Sequence, residues 1–396
     1  FAVHPDNSNY YYVAVASGGV WKTVNNGVTW TPLFDSQGSY SIGTITLDPK
    51  NPSVVWVGTG ENNNQRSVSY GDGVYKSEDA GRTWKNMGLR KSEHIAKILV
   101  DPRDSNVVYV AAPGPLWKGG GDRGLYKSTD GGKSWTSLIK VGEYTGVADV
   151  IMDPRNPDIL LASTHQRQRR YFTLVHGGPE SAVWRSTDAG KTWTKAGGGL
   201  PTGELGRIGL AYAPSNPSIL YAQVEGPESK GGLYRSADNG VTWEKRNSFD
   251  QQGQYYSKVV VDPHSADRVY IMNVNIQVSD DGGRTLASLP TRDKHVDNHD
   301  IWVDPKQPDH YRVACDGGVY ESYDRAANWE FKANLPIAQL YDIGLDDATP
   351  FYNVYGGTQD NGSFGCASRT KTTAGVTNSD CFVTNGGDGF YTKADP

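Results

Sequence analysis

Apolar residues along this chain come in short runs, each ended by a polar turn, and the runs recur in a fixed order. Thr44-Ile-Thr-Leu-Asp48-Pro49 is followed by Val54-Val-Trp-Val-Gly58, and Ile98-Leu-Val-Asp101-Pro102 by Val107-Val-Tyr-Val110. Asp153-Pro154, Ala213-Pro214, Asp262-Pro263 and Asp304-Pro305 repeat the arrangement, and His4-Pro5 reads as its first copy. Each pair of runs is followed by a Gly-x-aromatic-Lys/Arg-Ser stretch, a second polar turn and a Trp. Runs this short, rich in β-branched and aromatic residues and bounded by Asp, Asn, Gly and Pro, predict strands. Every unit therefore predicts four of them. Strand A ends at Asp-Pro, B is the Val/Ile/Tyr run, C is the Gly-x-aromatic stretch and D starts at the Trp. No helical period is sustained.

The second turn carries the most regular phrase. Thr23-Val-Asn-Asn-Gly-Val-Thr-Trp30 recurs in copies ending at Trp84, Trp135, Trp193 and Trp243, with worn copies ending at Leu286 and Trp329. The Asp or Asn oxygen accepts N–H groups just ahead of it, the Gly takes a positive φ, and the Trp offers a broad apolar face. Seven copies, 43 to 58 residues apart, match the size of propeller blades, about 40–50 residues each plus loops. The phrase is identified as the Asp-box, also called the bacterial neuraminidase repeat. In families that carry it, the box marks the fold and lies away from the active site. The expected fold is all-β, a β-propeller of four-stranded antiparallel blades, seven of them, with the boxes on one face. Residues 1–345 are expected to form the propeller. The box fades in its last copies, so 346–396 reads as closure strands or the start of a second propeller.

Strand order fixes two faces. The A–B and C–D turns are short and uniform and share one. The B–C loops and D-to-A connections share the other and vary in length and chemistry, as a ligand face does. The long loops there are Thr59–Arg66, Ala112–Arg123 and Ser163–Gly178. Arg66, Arg123, Arg167, Arg169 and Arg170, with Trp117 and His165, are candidate ligand contacts; the arginines either grip anionic groups or pair with Glu61, Asp122 and Glu180 in a solvated loop. The inner strands place Thr44, Lys97, Asp149, Gly209, Lys258 and Asp300 at the channel mouth as a mixed polar ring. His295-Val-Asp297-Asn-His299-Asp300 is the densest polar cluster. At period two, His295, Asp297 and His299 share a side, which gives a weak metal-ligand pattern or a polar lead-in to strand A. His295 and His299 are also ligand-contact candidates.

The net charge of −5 carries no nucleic-acid footprint, and no apolar run reaches the length of a membrane-spanning helix. Glycine is abundant (47 residues), as a turn-rich globular chain requires. Nothing calls for a cofactor. Cys366 and Cys381 bracket a polar loop and either pair, in an exported protein, or stay as two thiols; Cys315 reads as a buried small hydrophobe. The chain starts inside a strand and reads as part of a longer precursor, outside the cell, in the periplasm or on the cell surface.

The chain as a whole resembles secreted bacterial sortilin-like, or glycosyl-hydrolase-like, Asp-box proteins. Gly60-Glu-Asn-Asn-Asn-Gln-Arg66, His295-Val-Asp-Asn-His299 and Tyr355-Gly-Gly-Thr-Gln-Asp-Asn361 carry that likeness. It is more distantly similar to xyloglucan endohydrolases, which have two such propellers with acids in the cleft between them. Those carry an Asp just before the Gly-Gly-aromatic segment of the first blade. Here that segment is Val15-Ala16-Ser17-Gly-Gly-Val-Trp21, with Ala16 in place of the carboxylate. Sialidases share the box but not the expected blade number, and sortilin-type receptors are non-catalytic propellers that bind peptides. With Ala16 where an acid is needed, the first expectation is an exported, non-catalytic binding or scaffold propeller for a glycan or protein segment. The alternative is an endo-acting glycoside hydrolase whose cleft is completed by a second propeller, drawing its acid and base from Glu61, Glu93, Asp149, Asp297 and Asp300.

Overall fold

The computed structural model describes residues 1–227 and 230–395. The chain divides into two compact units, the first Phe1–Asn334 and the second starting at Leu335. The first holds seven four-stranded antiparallel sheets, each in simple A-B-C-D order, and one small two-stranded hairpin. Sheet one uses Ala2–His4, Asn7–Val15, Gly19–Thr23 and Thr31–Pro32; sheet two uses Ile42–Leu47, Val55–Thr59, Val74–Ser77 and Lys85–Gly88. Sheet seven uses Asn298–Val303, Tyr311–Cys315, Gly318–Ser322 and Glu330–Phe331. Helical structure among the described residues is confined to short 3-10 turns such as Arg90–Ser92 and Asn378–Asp380. This is the all-β propeller architecture that the repeat predicts. Strand D starts one residue later than expected, because the Trp closes the turn and packs sideways instead of joining the ladder.

The Asp-box chemistry is the same at every copy. In sheet two the Ser77 hydroxyl donates to Asp79 and accepts from Gly81 N–H at 2.8 Å, while Asp79 accepts from the Thr83 N–H at 2.8 Å and the Thr83 hydroxyl at 2.7 Å. These bonds hold the Asp79 carboxyl down at about 2, and the matching carboxyls of Asp130 and Asp188 likewise. All seven box turns donate a backbone N–H to the A–B turn of their own sheet, as in Ala80 to Ser53 and Ala189 to Asp158. The two sets of short turns therefore form one rim. Trp84 and Trp135 donate their indole N–H to carbonyls of the preceding sheet, Leu33 and Met87. In the last copy Ala326 stands in the place of the Gly and is forced to φ +70°.

Six apolar clusters fill the six successive gaps between sheets, for example Val55, Val57, Tyr12 and Phe34 between sheets one and two. The gap between sheets seven and one is filled differently. Glu321, fully buried, accepts from His310 (2.7 Å), Arg312 (2.8 Å), Lys332 (2.6 Å) and Asn26 (2.8 Å). The Arg312 guanidinium lies 4.2 Å from the Tyr11 ring centre and 4.7 Å from Trp302. Burial pushes the Glu321 carboxyl up, but its cationic partners win and hold it at about 2. The Trp30 indole donates to Asn334 across the same joint, so the seventh sheet meets the first and the ring is closed.

The second unit contains one further sheet, Leu340–Leu345, Asn353–Thr358, Ser363–Ala367 and Cys381–Asn385, again in sequence order. Residue 345, the expected end of the first array, is the last residue of its first strand. Cys366 and Cys381 face each other on paired strands and form a disulfide. Ile343, Leu345, Phe382 and Val383 of this sheet are all more than half exposed.

Candidate functional site

On the rim opposite the boxes, one loop organises the rest. Between strands B and C of sheet two the chain runs from Gly60 to Gly73, and it begins where two backbones almost touch. Gly60 has φ +89°, and a Cβ there would lie 1.9 Å from the Glu93 carbonyl, so only glycine fits. The loop then crosses the mouth of the ring. Asn64 N–H donates to Gln254 O, at the connection from sheet five to six, and the Asn64 amide donates to His176 Nδ1 in the loop of sheet four. His176 Nε2 lies 2.7 Å from Glu225 of sheet five's loop.

The arginines of the long loops hold this crossing in place. Arg167 is buried and donates to Asn63 O (3.1 Å), Asn64 Oδ1 (2.5 Å) and Gly114 O (2.8 Å). Arg169 donates to Asn64 O at 2.7 Å. Arg123 donates to five carbonyls, those of Pro113, Pro115, Lys118, Gly120 and Tyr144. The expectation that these three contact a ligand is corrected: all three are buried and donate to carbonyl oxygens of the loops beneath the surface. His165 is also corrected, since it is 2 % exposed and packs edge-on against His176. Burial drives its imidazole well down, helped by His176 and the nearby guanidiniums. His94, whose Nδ1–H donates to Glu61 O, is held at about 3 by burial and then by Arg167. Arg66 and Arg170 remain exposed, and Trp117 is 40 % exposed.

Four of the five candidate acids go elsewhere than to an open pair. Glu93 is bound to Lys118 at 2.6 Å, Asp149 to Lys97 at 3.0 Å and Asp300 to Lys258 at 2.5 Å. The last two pairs join neighbouring inner strands, so the expected polar ring is an ion-paired one. Burial raises the Asp300 carboxyl, but Lys258 and the amino group of Phe1 bring it to about 2. Asp297 accepts the Tyr256 hydroxyl at 2.5 Å. Among the described residues no three His, Cys, Asp or Glu side chains are grouped to hold a metal ion. The weak metal pattern at His295, Asp297 and His299 does not assemble, because Asp297 has φ +60° and breaks the period-two geometry on which it rested. Strand A starts only at Asn298.

Glu61 is different. Its carboxyl accepts from Asn63 at 2.6 Å and from Ser69 N–H at 3.2 Å. Burial pushes its pKa above the usual 4.5; those two bonds and His299 pull it back, and the charge of Asp316 raises it further. Asp316 lies in the B–C turn of sheet seven, ahead of Gly317-Gly318-Val319-Tyr320, and its Oδ1 is 2.8 Å from His299 Nε2 and its Oδ2 accepts the Tyr255 hydroxyl at 2.7 Å. Burial raises Asp316, but the bonds from His299 and Tyr255 and the charges of His299 and His295 outweigh it, and the carboxyl is held low. Tyr255, Tyr256 and His299 form a three-ring cluster with centroids 4.8 to 5.5 Å apart. The site therefore has a carboxyl pushed toward the protonated form, Glu61, which feels the charge of a carboxylate kept ionised, Asp316.

Sequence reasoning missed Asp316, Tyr255 and Tyr256. A signal for Asp316 existed. The carboxylate before a Gly-Gly-aromatic segment was sought only in the first blade, where Ala16 stands, and the seventh carries the same segment with an acid ahead of it. Tyr255 and Tyr256 sit in an irregular connection that no pattern marks.

A family model described as "Sortilin, neurotensin receptor 3" matches residues 72–202. Among curated proteins the chain is similar to a xyloglucanase of Paenibacillus sp., 28% identical over 261 residues, covering 59% of this chain and 24% of that protein. Other bacterial and fungal xyloglucanases align at 25% to 29% identity. The chain spans about a quarter to a third of the length of these relatives. Among solved structures it is similar to a GH74 xyloglucanase from Xanthomonas campestris, with TM-score 0.52 and 16% identity, covering 92% of this chain and 64% of that one. It is also similar to YCF48 bound to D1 peptide, with TM-score 0.54 and 14% identity, covering 82% of this chain and 91% of that one. One fold serves both neighbours, so the fold alone does not decide between catalysis and binding. The curated relatives do bear on it: they are xyloglucanases, and this overturns the expectation of a non-catalytic scaffold. Ala16 was too narrow a ground for that expectation, since acids on other blades reach the same rim. The chain is an Asp-box β-propeller protein, similar in part to the sortilin family and more distantly to xyloglucanases.

Proposed function

We propose that this protein is a glycoside hydrolase acting on a polysaccharide of the xyloglucan class. The observation that carries the reading is that two carboxyls of this rim, Glu61 bonded to Asn63 and Ser69 N–H and Asp316 bonded to His299 and Tyr255, are moved in opposite directions by their surroundings, with the charge of Asp316 felt at Glu61. Glycoside hydrolysis needs such a pair, one group to protonate the leaving oxygen and one to stay ionised. Glu61, raised by burial, is the acid. Asp316, oriented by His299 and Tyr255, is the base that activates water or the nucleophile at the anomeric carbon. The similarity to xyloglucanases supplies the substrate class.

The reading fixes a pH window. Asp316 must be ionised, so activity rises with pH through a value below the ordinary 3.8. Glu61 must be protonated, so activity falls as pH rises through a value above 4.5. The test is release of reducing ends from purified xyloglucan. Glu61→Gln and Asp316→Asn should each lower kcat by about 100- to 10,000-fold; turnover equal to wild type in both would refute the assignment.

The reading extends to the second unit as the first blade of another propeller. All seven sheets of the first unit already have four strands, so none needs completing. Asp346 organises its A–B turn by accepting Ala348 N–H and Asn353 N–H, much as Asp48 accepts Lys50 N–H. The exposed apolar residues on this sheet ask for neighbours, because a lone sheet is marginal in water. A disulfide fits an exported protein.

A further inference from the structure

We propose that the rim of sheets two to four carries, in addition to the acid pair, an aromatic glycan-binding platform, which holds a neutral polysaccharide by ring stacking. The choice of ligand class rests on the glycoside-hydrolase reading; the platform rests on its own geometry. Tyr70, Trp117, Tyr171 and Phe172 are 73 %, 40 %, 90 % and 86 % exposed. They come from three loops, those of sheets two, three and four. Trp117 and Tyr171 already touch, with ring centres 5.7 Å apart and planes tilted by 49°. Gly71 N–H, next to Tyr70, donates to Glu93 O at 2.7 Å, and the Glu93 carboxyl binds Lys118, next to Trp117, at 2.6 Å, which ties the loop of Tyr70 to that of Trp117. Tyr171 and Phe172 form the tip of a two-stranded hairpin, Gln168–Arg170 with Thr173–Val175. Large aromatics gathered in the open carry a solvation cost that a folded surface normally avoids unless something covers them.

The platform is also rigid, which a mere loop tip would not be. Arg169 N–H donates to Leu116 O, next to Trp117, and Arg167 N–H donates to Tyr144 O. The Arg167 side chain bonds to Gly114 O and to Asn63 O, tying the sheet-four loop to the other two. The buried arginines fix the loops from below, and the aromatics are what the loops present above. A pre-set surface loses little freedom on binding. A pyranose ring has C–H faces that stack on flat rings and hydroxyls at its edge; the exposed Arg66 and Arg170 offer planar N–H donors for those hydroxyls.

Affinity electrophoresis of the full chain, in gels containing xyloglucan or polygalacturonate, tests this in the Glu61→Gln background so that no polymer is consumed. Xyloglucan should retard the protein, and Trp117→Ala/Tyr171→Ala should weaken that binding at least tenfold with an unchanged melting temperature. Tyr171→Ala/Phe172→Ala, confined to the hairpin tip, should give a smaller loss and guards against a folding artefact. Retardation that survives in both variants overturns the proposal. So does retardation by polygalacturonate alone, or by neither polymer, which would point to an anionic or a protein occupant. If the Glu61→Gln protein with its aromatics intact is retarded by xyloglucan, and the aromatic variants are not, the platform stands even where wild-type protein shows no hydrolysis; the hydrolase reading then falls by itself.

Discussion

The two rims of the first unit use the same side chains in opposite ways. On the box rim, a carboxylate such as Asp79 spends its oxygens on groups two to four residues away. On the other rim, Arg167 reaches partners 103 and 104 residues away, and His299 and Asp316 pair across a strand and its turn. The first kind of contact forms as soon as the turn does and repeats wherever the phrase repeats. The second exists only after separate strands and loops have been brought together. A region built from local bonds is redundant and tolerant, and one built from distant bonds is where a single change undoes a unique arrangement.

The sharpest way to break that contrast is to remove the acids on each rim. Glu61→Gln and Asp316→Asn should remove most activity, about 100- to 10,000-fold, while Asp79→Ala leaves kcat near wild type. Equal losses from all three would erase the distinction. Next in size, Arg167→Lys keeps a charge but cannot serve three acceptors at once. It should cost roughly 2–3 kcal/mol in urea unfolding from carbonyls left unpaired, and it should lower activity by displacing the loop that carries Glu61. Stability and activity both unchanged would show that the loop is held by something else.

Acid titration separates the rims in another way. The box carboxyls at about 2 sit below their unfolded value, so they contribute stability above roughly pH 4 and lose it as pH falls toward 2. Circular dichroism should show unfolding beginning in that interval. The smallest effect concerns the worn copy. Ala326→Gly relieves a φ of +70° and should raise stability by about 0.5 kcal/mol, after loss of one buried methyl, with no change in activity; a loss of stability would mean the methyl outweighs the strain.

The same contrast explains what the sequence reveals. Strand order, the box turns, the shared rim of A–B and C–D turns and the placement of Lys97 and Asp149 at matching inner-strand positions all follow from a repeating phrase, and the structure matches them. Glu61 was within reach because it stands in a variable loop. Its partner was marked only by the acid ahead of a Gly-Gly-aromatic segment, and nothing in that segment says that its charge reaches a loop of sheet two. The polar joint of Glu321, His310, Arg312 and Lys332 stayed hidden for the same reason: every other gap is apolar, and the exception occurs only where the ring meets itself. The loop arginines were read as ligand contacts by chemical type, whereas a buried guanidinium surrounded by carbonyls is a scaffold. Their burial is a property of three loops together.

The central claim is that Glu61 is the proton donor and Asp316 its ionised partner. Hydrolysis of an aryl β-glucan oligosaccharide with a good leaving group, set beside xyloglucan, tests it most directly, since a good leaving group needs no acid. The account predicts that Glu61→Gln loses xyloglucan turnover but keeps much of the aryl-glycoside rate, while Asp316→Asn loses both. Equal loss on both substrates in Glu61→Gln, or full activity in Asp316→Asn, would contradict it.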